Sequence, residues 1–434
     1  MADRLAITQS EANLKIITMR WHHQNIPAIY CALIMFASLC LAQEPALVKT
    51  DLFEAGKDGY ELYRIPGIVV TTKGTILAYC EARKSKNGDW GPIDIMLRRS
   101  VDGGRTWGAR QKIAEVEGPK SKNPVALAQK LANPDDVTYN NPLAIVDRRT
   151  GAVHFLFCLE YARCFYLRSD DDGVTFSKPV EITSTFEQFR KEYDWKVIAT
   201  GPGHGIRMKN GRLVVPIWMS TGTGGHAHRP SAVSVIYSDD HGKTWRPGEI
   251  VARHPDDLIN PSETIVEQLS DGRVMLNIRS ESKEHRRAVS YSKDGAKGWT
   301  KPVFDDQLLE PICMASIVRV SEKTKNSVSR IAFANPHNLE RAGGDQTPGR
   351  NRDRKNLSIK LSYDEGKTWP VNKTLEAGLS GYSDLAVGSD GTIYCLYENS
   401  STDGEMYRTR RLTLARFNLE WLTDGKDSIA KKAQ

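Results

Sequence analysis

The sequence Ser100-Val-Asp-Gly-Gly-Arg-Thr-Trp107 is the first of five copies of an eight-residue turn with the pattern S-x-D-x-G-x-T-W/F. In such a turn the Asp carboxylate accepts backbone N–H groups, Gly supplies a positive φ, and the aromatic residue packs on the apolar side. We call each copy an Asp turn. The other four begin at residues 169, 238, 292 and 362 and read SDDDGVTF, SDDHGKTW, SKDGAKGW and SYDEGKTW. The fourth copy is degenerate, with Ala296 and Gly298 at the Gly and Thr positions.

A second element alternates with the Asp turns, namely a short apolar run that in five of six cases follows a turn glycine. The six runs begin near residues 74, 151, 211, 272, 328 and 391, and each of the first five precedes an Asp turn. Since Asp turns start 54 to 70 residues apart, the period is that of a repeated β unit.

Six strand positions and five Asp turns predict an all-β, six-bladed β-propeller of four-stranded antiparallel blades. An N-terminal strand near residues 49–53 would complete the last blade. Radial repetition of this kind protects the edges of the sheets. A tandem array of β-sandwiches is the alternative, although no linker-like segment separates the units.

The composition excludes some functions. The chain has 434 residues, a formal net charge of +7 and 26% charged residues, values ordinary for a globular protein. No block of Lys and Arg is interleaved with aromatic residues, so nucleic acid is not an expected partner. A mildly basic surface suits anionic substrates, but only weakly.

Residues 1–42 predict a secretory signal peptide with an extended n-region. An apolar run over residues 26–42 follows Arg20, ends in small residues and is short for a membrane span. We expect cleavage after Ala42, a secreted or periplasmic protein and no stable membrane span thereafter. An uncleaved anchor is the alternative, and translation from Met19 is a further hypothesis. The propeller domain would then cover residues 43–423, with a polar tail over 424–434.

The cysteines and histidines give no metal or disulfide pattern. Five cysteines lie outside the predicted signal peptide, an odd and widely spaced set. Cys80, Cys158 and Cys395 fall in apolar runs, which predicts buried packing residues. His226 and His228 lack a third ligand, so no metal is expected. The glycine-rich loops at residues 199–206 and 220–228 match no phosphate-binding spacing, so no organic cofactor such as a nucleotide is expected either.

Several strand ends carry polar residues where apolar ones would be expected. Arg64 precedes Ile-Pro at a strand start, and Asp89 beside an aromatic residue, Trp90, suggests an acid with a raised pKa. A hairpin places Glu263 and Arg279 at one end of a sheet, either as a structural ion pair or as part of a site.

Two later strand ends repeat this pattern. Arg354 leads into a strand, and a hairpin places Tyr382 and Glu398 at one end. In a propeller such ends converge on one funnel, which predicts a concave polar site.

Together these residues resemble the bacterial exo-α-sialidases (neuraminidases), which are glycoside hydrolases built as six-bladed propellers with Asp boxes. The resemblance rests on Tyr63-Arg-Ile-Pro66, the five Asp turns and the spaced Arg, Glu and Tyr residues, and it extends from about residue 49 to about residue 422. It implies a triad that binds the sialic acid carboxylate, formed by Arg64, Arg279 and Arg354. It also implies that Glu398 orients Arg64.

The same resemblance implies a retaining mechanism, with Asp89 as acid/base, Tyr382 as nucleophile and Glu263 as the base that activates Tyr382. A neutral Tyr hydroxyl avoids the repulsion that a carboxylate nucleophile would meet at an anomeric carbon bearing a carboxylate. The expected reaction is hydrolysis of terminal α-linked sialic acids on glycoproteins, glycolipids and oligosaccharides. The expected partners are sialylated glycans, with no obligate protein partner.

The alternatives are a trans-sialidase, a non-catalytic propeller that binds sialic acid, and a scaffold for protein partners. Asn141 departs from the pattern, because some relatives place an Asp there near the substrate.

Overall fold

The computed structural model describes residues 44–429 except Asn87, Asn326 and Gly343. The predicted signal peptide therefore lies outside the described residues. Within this part of the chain the protein is built from 26 β-strands, three short α-helices and one 3-10 helix. No helix among the described residues is long and apolar enough to cross a lipid bilayer.

The first strand, β1 (Leu47–Glu54), belongs to the last sheet, described below. The chain then forms the first sheet, whose strands in spatial order are β2 (Leu62–Val70), β3 (Ile76–Arg83), β4 (Ile93–Ser100) and β5 (Gln111–Lys112). A long connection containing helix α1 (Pro124–Ala128) leads to the second sheet. That sheet contains β6 (Tyr139–Val146), β7 (Val153–Leu159), β8 (Arg163–Ser169) and β9 (Val180–Glu181).

Helix α2 (Thr183–Glu187) and a 3-10 helix (Gln188–Lys191) precede the third sheet. Its strands are β10 (Val197–Thr200), β12 (Ile206–Arg207), β13 (Leu213–Ser220), β14 (Ser231–Ser238), β15 (Arg246–Pro247) and β16 (Ala252–Arg253). Between β10 and β12, strand β11 (Gly203–His204) adds to the second sheet by pairing in parallel with β6. The fourth sheet contains β17 (Thr264–Gln268), β18 (Val274–Ile278), β19 (Arg286–Ser292) and β20 (Val303–Leu309).

The last sheet has seven strands and divides into two four-stranded halves. Its further strands are β21 (Ser316–Ser321), β22 (Arg330–Pro336), β23 (Lys355–Ser362), β24 (Val371–Val387), β25 (Ile393–Ser401) and β26 (Thr409–Phe417). The long strand β24 pairs with β23 up to Leu379 and with β25 from Ser380 onward, so it serves both halves. Strand β1 pairs with β26, as the sequence predicts, and helix α3 (Leu419–Leu422) follows.

The six predicted apolar runs are the strands β3, β7, β13, β18, β22 and β25, and each of the five Asp turns starts on the last residue of a strand. The turn at Ser238 shows why. Ser238 Oγ accepts the Gly242 N–H at 2.8 Å, and the Asp240 carboxylate accepts the Thr244 N–H and hydroxyl at 2.9 and 2.6 Å. The turn therefore satisfies its own backbone groups without help from distant residues.

Apolar clusters fill the spaces between neighbouring sheets. Leu77 of the first sheet packs in one cluster with Phe155 of the second, and Ile68 of the first packs with Leu396 of the last. One strand from each sheet, and one from each half of the last sheet, contacts the next in turn: β2 contacts β6, β6 contacts β12, β12 contacts β17, β17 contacts β21, β21 contacts β24, and β24 contacts β2. Cys80, Cys158 and Cys395 are buried with free thiols, so the prediction that they pack in the core is confirmed.

Candidate active site

Arg64 is placed by an irregularity in the first strand of the first sheet. The register between β2 and β3 shifts between Arg64 and Gly67, and Ile65 has a φ of 56°. A β-branched residue rarely adopts this conformation, and such backbone strain is concentrated at functional sites. A side chain at Gly67 would collide with the ring of Tyr79, so the bulge also requires glycine at this position.

Glu398 fixes both Arg64 and the backbone at Tyr382. Its carboxylate accepts Arg64 Nε at 3.0 Å and Nη2 at 3.4 Å, and the N–H groups of Ile65 and Tyr382 at 3.3 and 3.1 Å. The side chain is 2% exposed. The structure therefore brings Glu398 to Arg64, and the same carboxylate ties the strand that carries Tyr382 to the strand that carries Arg64.

Tyr382, Glu263 and Arg279 form one hydrogen-bonded group. The Tyr382 hydroxyl lies 2.6 Å from both carboxylate oxygens of Glu263, and Arg279 Nη1 donates to it at 2.8 Å. The same Nη1 contacts Glu263. Burial raises the pKa of Tyr382 well above its usual value, Arg279 opposes this and Glu263 adds to it, so the hydroxyl is protonated at neutral pH.

The predicted hairpin end is confirmed, because the N–H of Arg279 donates to the carbonyl of Glu263 at 3.3 Å across the end of β17 and β18. The two side chains form an ion pair, which was one of the two interpretations left open by the sequence.

Arg354 has spare donors. Its Nη2 donates to the Ile312 carbonyl at 2.8 Å, and its guanidinium lies 4.9 Å from the centre of the Tyr382 ring and 4.8 Å from that of Tyr407. Among the described residues, Arg354 Nε and Nη1 and Arg279 Nε are buried nitrogens without a hydrogen-bond partner. Buried donors are nearly always satisfied in folded proteins, so these unpaired nitrogens indicate a candidate binding site for an anion.

Asp89 lies beside the same arginines. Its carboxylate is 2.9 Å from Arg83 Nη1 and 3.7 Å from Arg64 Nη1, and its side chain is 39% exposed. Burial of the carboxylate opposes ionisation, but Arg83 and then Arg64 outweigh it and hold the pKa of Asp89 well below its usual range. The expectation of a raised pKa beside Trp90 is therefore wrong for the unliganded protein, because two cations act more strongly than the neighbouring aromatic ring.

Arg83 and Glu81 are site residues that the sequence reasoning missed. Glu81 accepts Arg83 Nη2 at 2.7 Å and the Asn141 N–H at 2.9 Å, so it orients Arg83 and connects it to the next sheet. Glu81 lies directly opposite Arg64 in the antiparallel register of β2 and β3. Alternate residues of a strand share a face, so two charged residues at that spacing in an apolar strand were an available signal.

The structure thus connects the predicted residues to Tyr382. Glu263 and Arg279 contact its hydroxyl, and Arg64 and Arg354 lie near its ring. Glu398 accepts its N–H and Asp89 lies beside Arg64, while the chemical role of each residue stays a prediction. Ile65, Cys313, Met314 and Tyr382 pack together in an apolar cluster beneath them.

Comparison with known proteins identifies the family. The model of the BNR repeat-like domain family matches residues 120–395. Sialidases from Micromonospora viridifaciens and Bacteroides fragilis (strain YCH46) are each 31% identical, over 87% and 80% of this chain and 55% and 61% of their own length. The solved structure of Hadza microbial sialidase Hz136 aligns with a TM-score of 0.69 and 28% identity, over 86% of this chain and 69% of that one.

The matched residues contain four of the five Asp turns, those that begin at residues 169, 238, 292 and 362. The chain belongs to the Asp-box, or BNR-repeat, family of bacterial sialidases. It spans little more than half of the Micromonospora relative and about three fifths of the Bacteroides relative.

Proposed function

We propose that this protein is a retaining exo-α-sialidase that hydrolyses terminal α-linked sialic acids on glycoproteins, glycolipids and oligosaccharides. The observation that carries the proposal is the contact of the Tyr382 hydroxyl with both Glu263 oxygens at 2.6 Å, next to buried arginine nitrogens that lack partners. A nucleophile, its base and an anion-binding site are thereby joined in one place. Sialidases are the known case in which a tyrosine replaces the carboxylate nucleophile of glycosidases.

Three arginines would bind the substrate's carboxylate. Arg354 and Arg279 offer unpaired nitrogens, and Arg64 is held rigidly by Glu398. Guanidinium groups bind carboxylates with fixed, often bidentate geometry and strong charge-assisted hydrogen bonds. Binding here would place the anomeric carbon, which carries the carboxylate, next to Tyr382.

In the first step Tyr382 Oη attacks the anomeric carbon while its proton passes to Glu263. The glycosidic bond breaks, and Asp89 gives its proton to the leaving oxygen. Arg279 Nη1, 2.8 Å from Oη, stabilises the developing phenolate charge. In the second step Asp89 accepts a proton from water, the water oxygen attacks the anomeric carbon, and Oη leaves and regains its proton from Glu263. Two displacements at one carbon retain its configuration.

Asp89 must be protonated before the first step, although its pKa is depressed in the unliganded protein. The bound substrate offsets this effect, because its carboxylate places a negative charge at Arg64, one of the two cations that depress the pKa of Asp89. Binding of the substrate therefore raises the pKa of Asp89 toward the range useful for a general acid.

We also propose that the sheets form a closed ring of six four-stranded blades. The contacts that lead from β2 through β6, β12, β17, β21 and β24 back to β2 support it, as do the two halves of the seven-stranded sheet. A secreted or periplasmic location is proposed from the apolar run at residues 26–42.

The test is release of a fluorogenic phenol from an aryl α-sialoside by the wild type and by Tyr382→Phe. We expect turnover by the wild type and loss of about three orders of magnitude or more in the variant, with unchanged circular dichroism and thermal unfolding. A correctly folded wild type that releases no phenol, or a variant that retains full turnover, would contradict the proposal.

A further inference from the structure

Lys122 and Glu160 form the most deeply buried lysine–carboxylate pair among the described residues. Nζ lies 2.8 Å from Oε2, and both side chains are 1% exposed. Lys122 lies in the long connection between β5 and β6, and Glu160 in the turn between β7 and β8. Removing two charges from water is costly, and an apolar pair of the same size is often as stable or more so. Stability alone therefore does not account for this pair.

The pair holds the backbone immediately after Asp89. Lys122 Nζ donates to the Trp90 carbonyl and to Thr138 Oγ1, both at 2.9 Å. Thr138 Oγ1 in turn lies 2.9 Å from the Trp90 carbonyl and 2.7 Å from the Gly91 carbonyl. Glu160 completes the arrangement by accepting the Thr138 N–H at 2.6 Å. Two successive carbonyl groups are thereby fixed by a charged group and a hydroxyl.

The residue before Asp89 is fixed as well. Arg83 Nη1 donates to the Gly88 carbonyl at 2.9 Å, and the Lys84 N–H donates to the Pro92 carbonyl at 3.0 Å. The Trp90 ring packs 4.5 Å from Tyr161, in the same turn as Glu160. Asp89 is thus a partly exposed side chain on a loop whose backbone is anchored on both sides.

We propose that Lys122 and Glu160 are positioning residues for Asp89, and that their task is proton delivery to the leaving oxygen. The inference rests on the proposed sialidase function. A displaced Asp89 would slow only those reactions in which the leaving oxygen needs a proton. A sugar leaves as a poor alkoxide and needs protonation, whereas an acidic phenol leaves without it.

The test compares kcat/KM for two α-sialosides, 3′-sialyllactose with a sugar leaving group and a 4-methylumbelliferyl sialoside with an acidic phenol. The double variant Lys122→Met/Glu160→Gln removes both charges and leaves no unpaired buried ion. We expect kcat/KM to fall about 30-fold or more for the sugar leaving group and less than about threefold for the phenol, since general acids contribute about 10²–10⁴-fold.

Two further variants calibrate the result. Asp89→Asn should show the same selectivity with a larger loss. Arg330→Met/Asp427→Asn, which removes a largely buried ion pair at the Asp-turn end, should lower stability without preferring either leaving group. If the Lys122 double variant does not fold, Thr138→Val keeps the ion pair and removes only the hydroxyl, and it should give the same selectivity at about threefold.

Equal losses on both substrates, or no loss in a folded variant, would overturn the positioning role and leave the proposed function intact. A folded wild type that cleaves neither substrate would overturn the proposed function and this inference with it.

Discussion

At the Asp-turn end of the strands, the turn at Ser238 repeats a local arrangement in which serine, aspartate and threonine satisfy one another within eight residues. At the opposite end, Arg64 meets Glu398 from 334 residues away, and Glu263 meets Tyr382 from 119 residues away. The turn pairs its serine, aspartate and threonine side chains within itself, whereas the second end contains Arg279 and Arg354 nitrogens that are buried and without hydrogen-bond partners. We therefore expect the repeated local unit to supply stability, and the non-repeated ends to supply the proposed binding site at some cost in stability.

Among the variants that test this comparison, Arg354→Met has the largest expected effect, and it should separate the contributions to activity and to stability. We expect kcat/KM for an aryl sialoside to fall about 100-fold or more, because a buried partner of the substrate's charge is lost. The midpoint of thermal unfolding should stay level or rise by about 2 °C, because an incompletely paired buried cation is removed. Steady-state kinetics and scanning calorimetry measure both. Arg411→Met, at an exposed ion pair with Asp51, is the control. A loss of stability with activity retained would reverse the comparison.

A smaller loss is expected for Gly381→Ala, which tests whether the site end depends on close backbone approach. A Cβ at this position would collide with the Glu398 carboxylate and displace it from Arg64. Since a displacement of about 1 Å can cost about 100-fold, we expect kcat/KM to fall at least about tenfold. The matched control is Gly108→Ala, where a Cβ would meet only ordinary contact at 3.6 Å. Equal kinetics for the two variants would show that Glu398 adjusts freely.

Two aspartates with depressed pKa values sharpen the comparison further. Hydrogen bonds from the hydroxyl and N–H of Thr175 lower the pKa of Asp171 from 3.8 to about 2, whereas Arg83 and Arg64 depress that of Asp89. We expect saturating sialic acid to raise the pKa of Asp89 by about one unit and to leave that of Asp171 unchanged. Carboxyl ¹³C NMR titrations of both residues measure this. Equal behaviour of the two would mean that the ligand does not reach Arg64.

The sign of the pH effect on stability follows from the same shift. The folded pKa of Asp171 lies below its ordinary value of 3.8. Its contribution is therefore present above about pH 4 and lost as the pH falls toward 2.

The smallest effect on activity is expected at the Asp-turn end. Asp240→Ala removes the acceptor for the Thr244 N–H and hydroxyl. We expect the unfolding midpoint to fall by about 2–4 °C while kcat/KM stays within about twofold. Asp294→Ala in the degenerate turn should cost less, because Gly298 supplies no threonine hydroxyl and the remaining side-chain donors, Ser292 Oγ and Arg212 Nη1, lie at 3.2 Å. A large loss of kcat/KM in Asp240→Ala would show that the two ends are coupled.

Features set by local sequence were predictable, and features set by distant contacts were not. The Asp turns and the six strands could be placed because each depends on neighbouring residues. The hairpin geometry of Glu263 and Arg279 followed from strand pairing. The ion pair of Arg64 with Glu398 came only from the family resemblance, because no local pattern links residues 334 apart.

The prediction of a raised pKa for Asp89 was wrong for the same reason. Its neighbour in sequence, Trp90, suggested a raised value, but its neighbours in space are Arg83 and Arg64. The sharing of β24 by two sheet halves could not be predicted either, because it depends on how the edges of the two halves align in space.

The pairing of β1 with β26 has a consequence for synthesis. Arg411 meets Asp51 across 360 residues, so a strand that leaves the ribosome early stays without its partner until β26 has been synthesised. Contacts this distant are slow to form, and an unpaired strand edge is prone to aggregate. The sheet completed by this pairing carries Tyr382 and Glu398. A nascent chain that stops short of β26 therefore lacks the finished sheet around Tyr382 and Glu398, and the proposed activity begins only after β26 has been made.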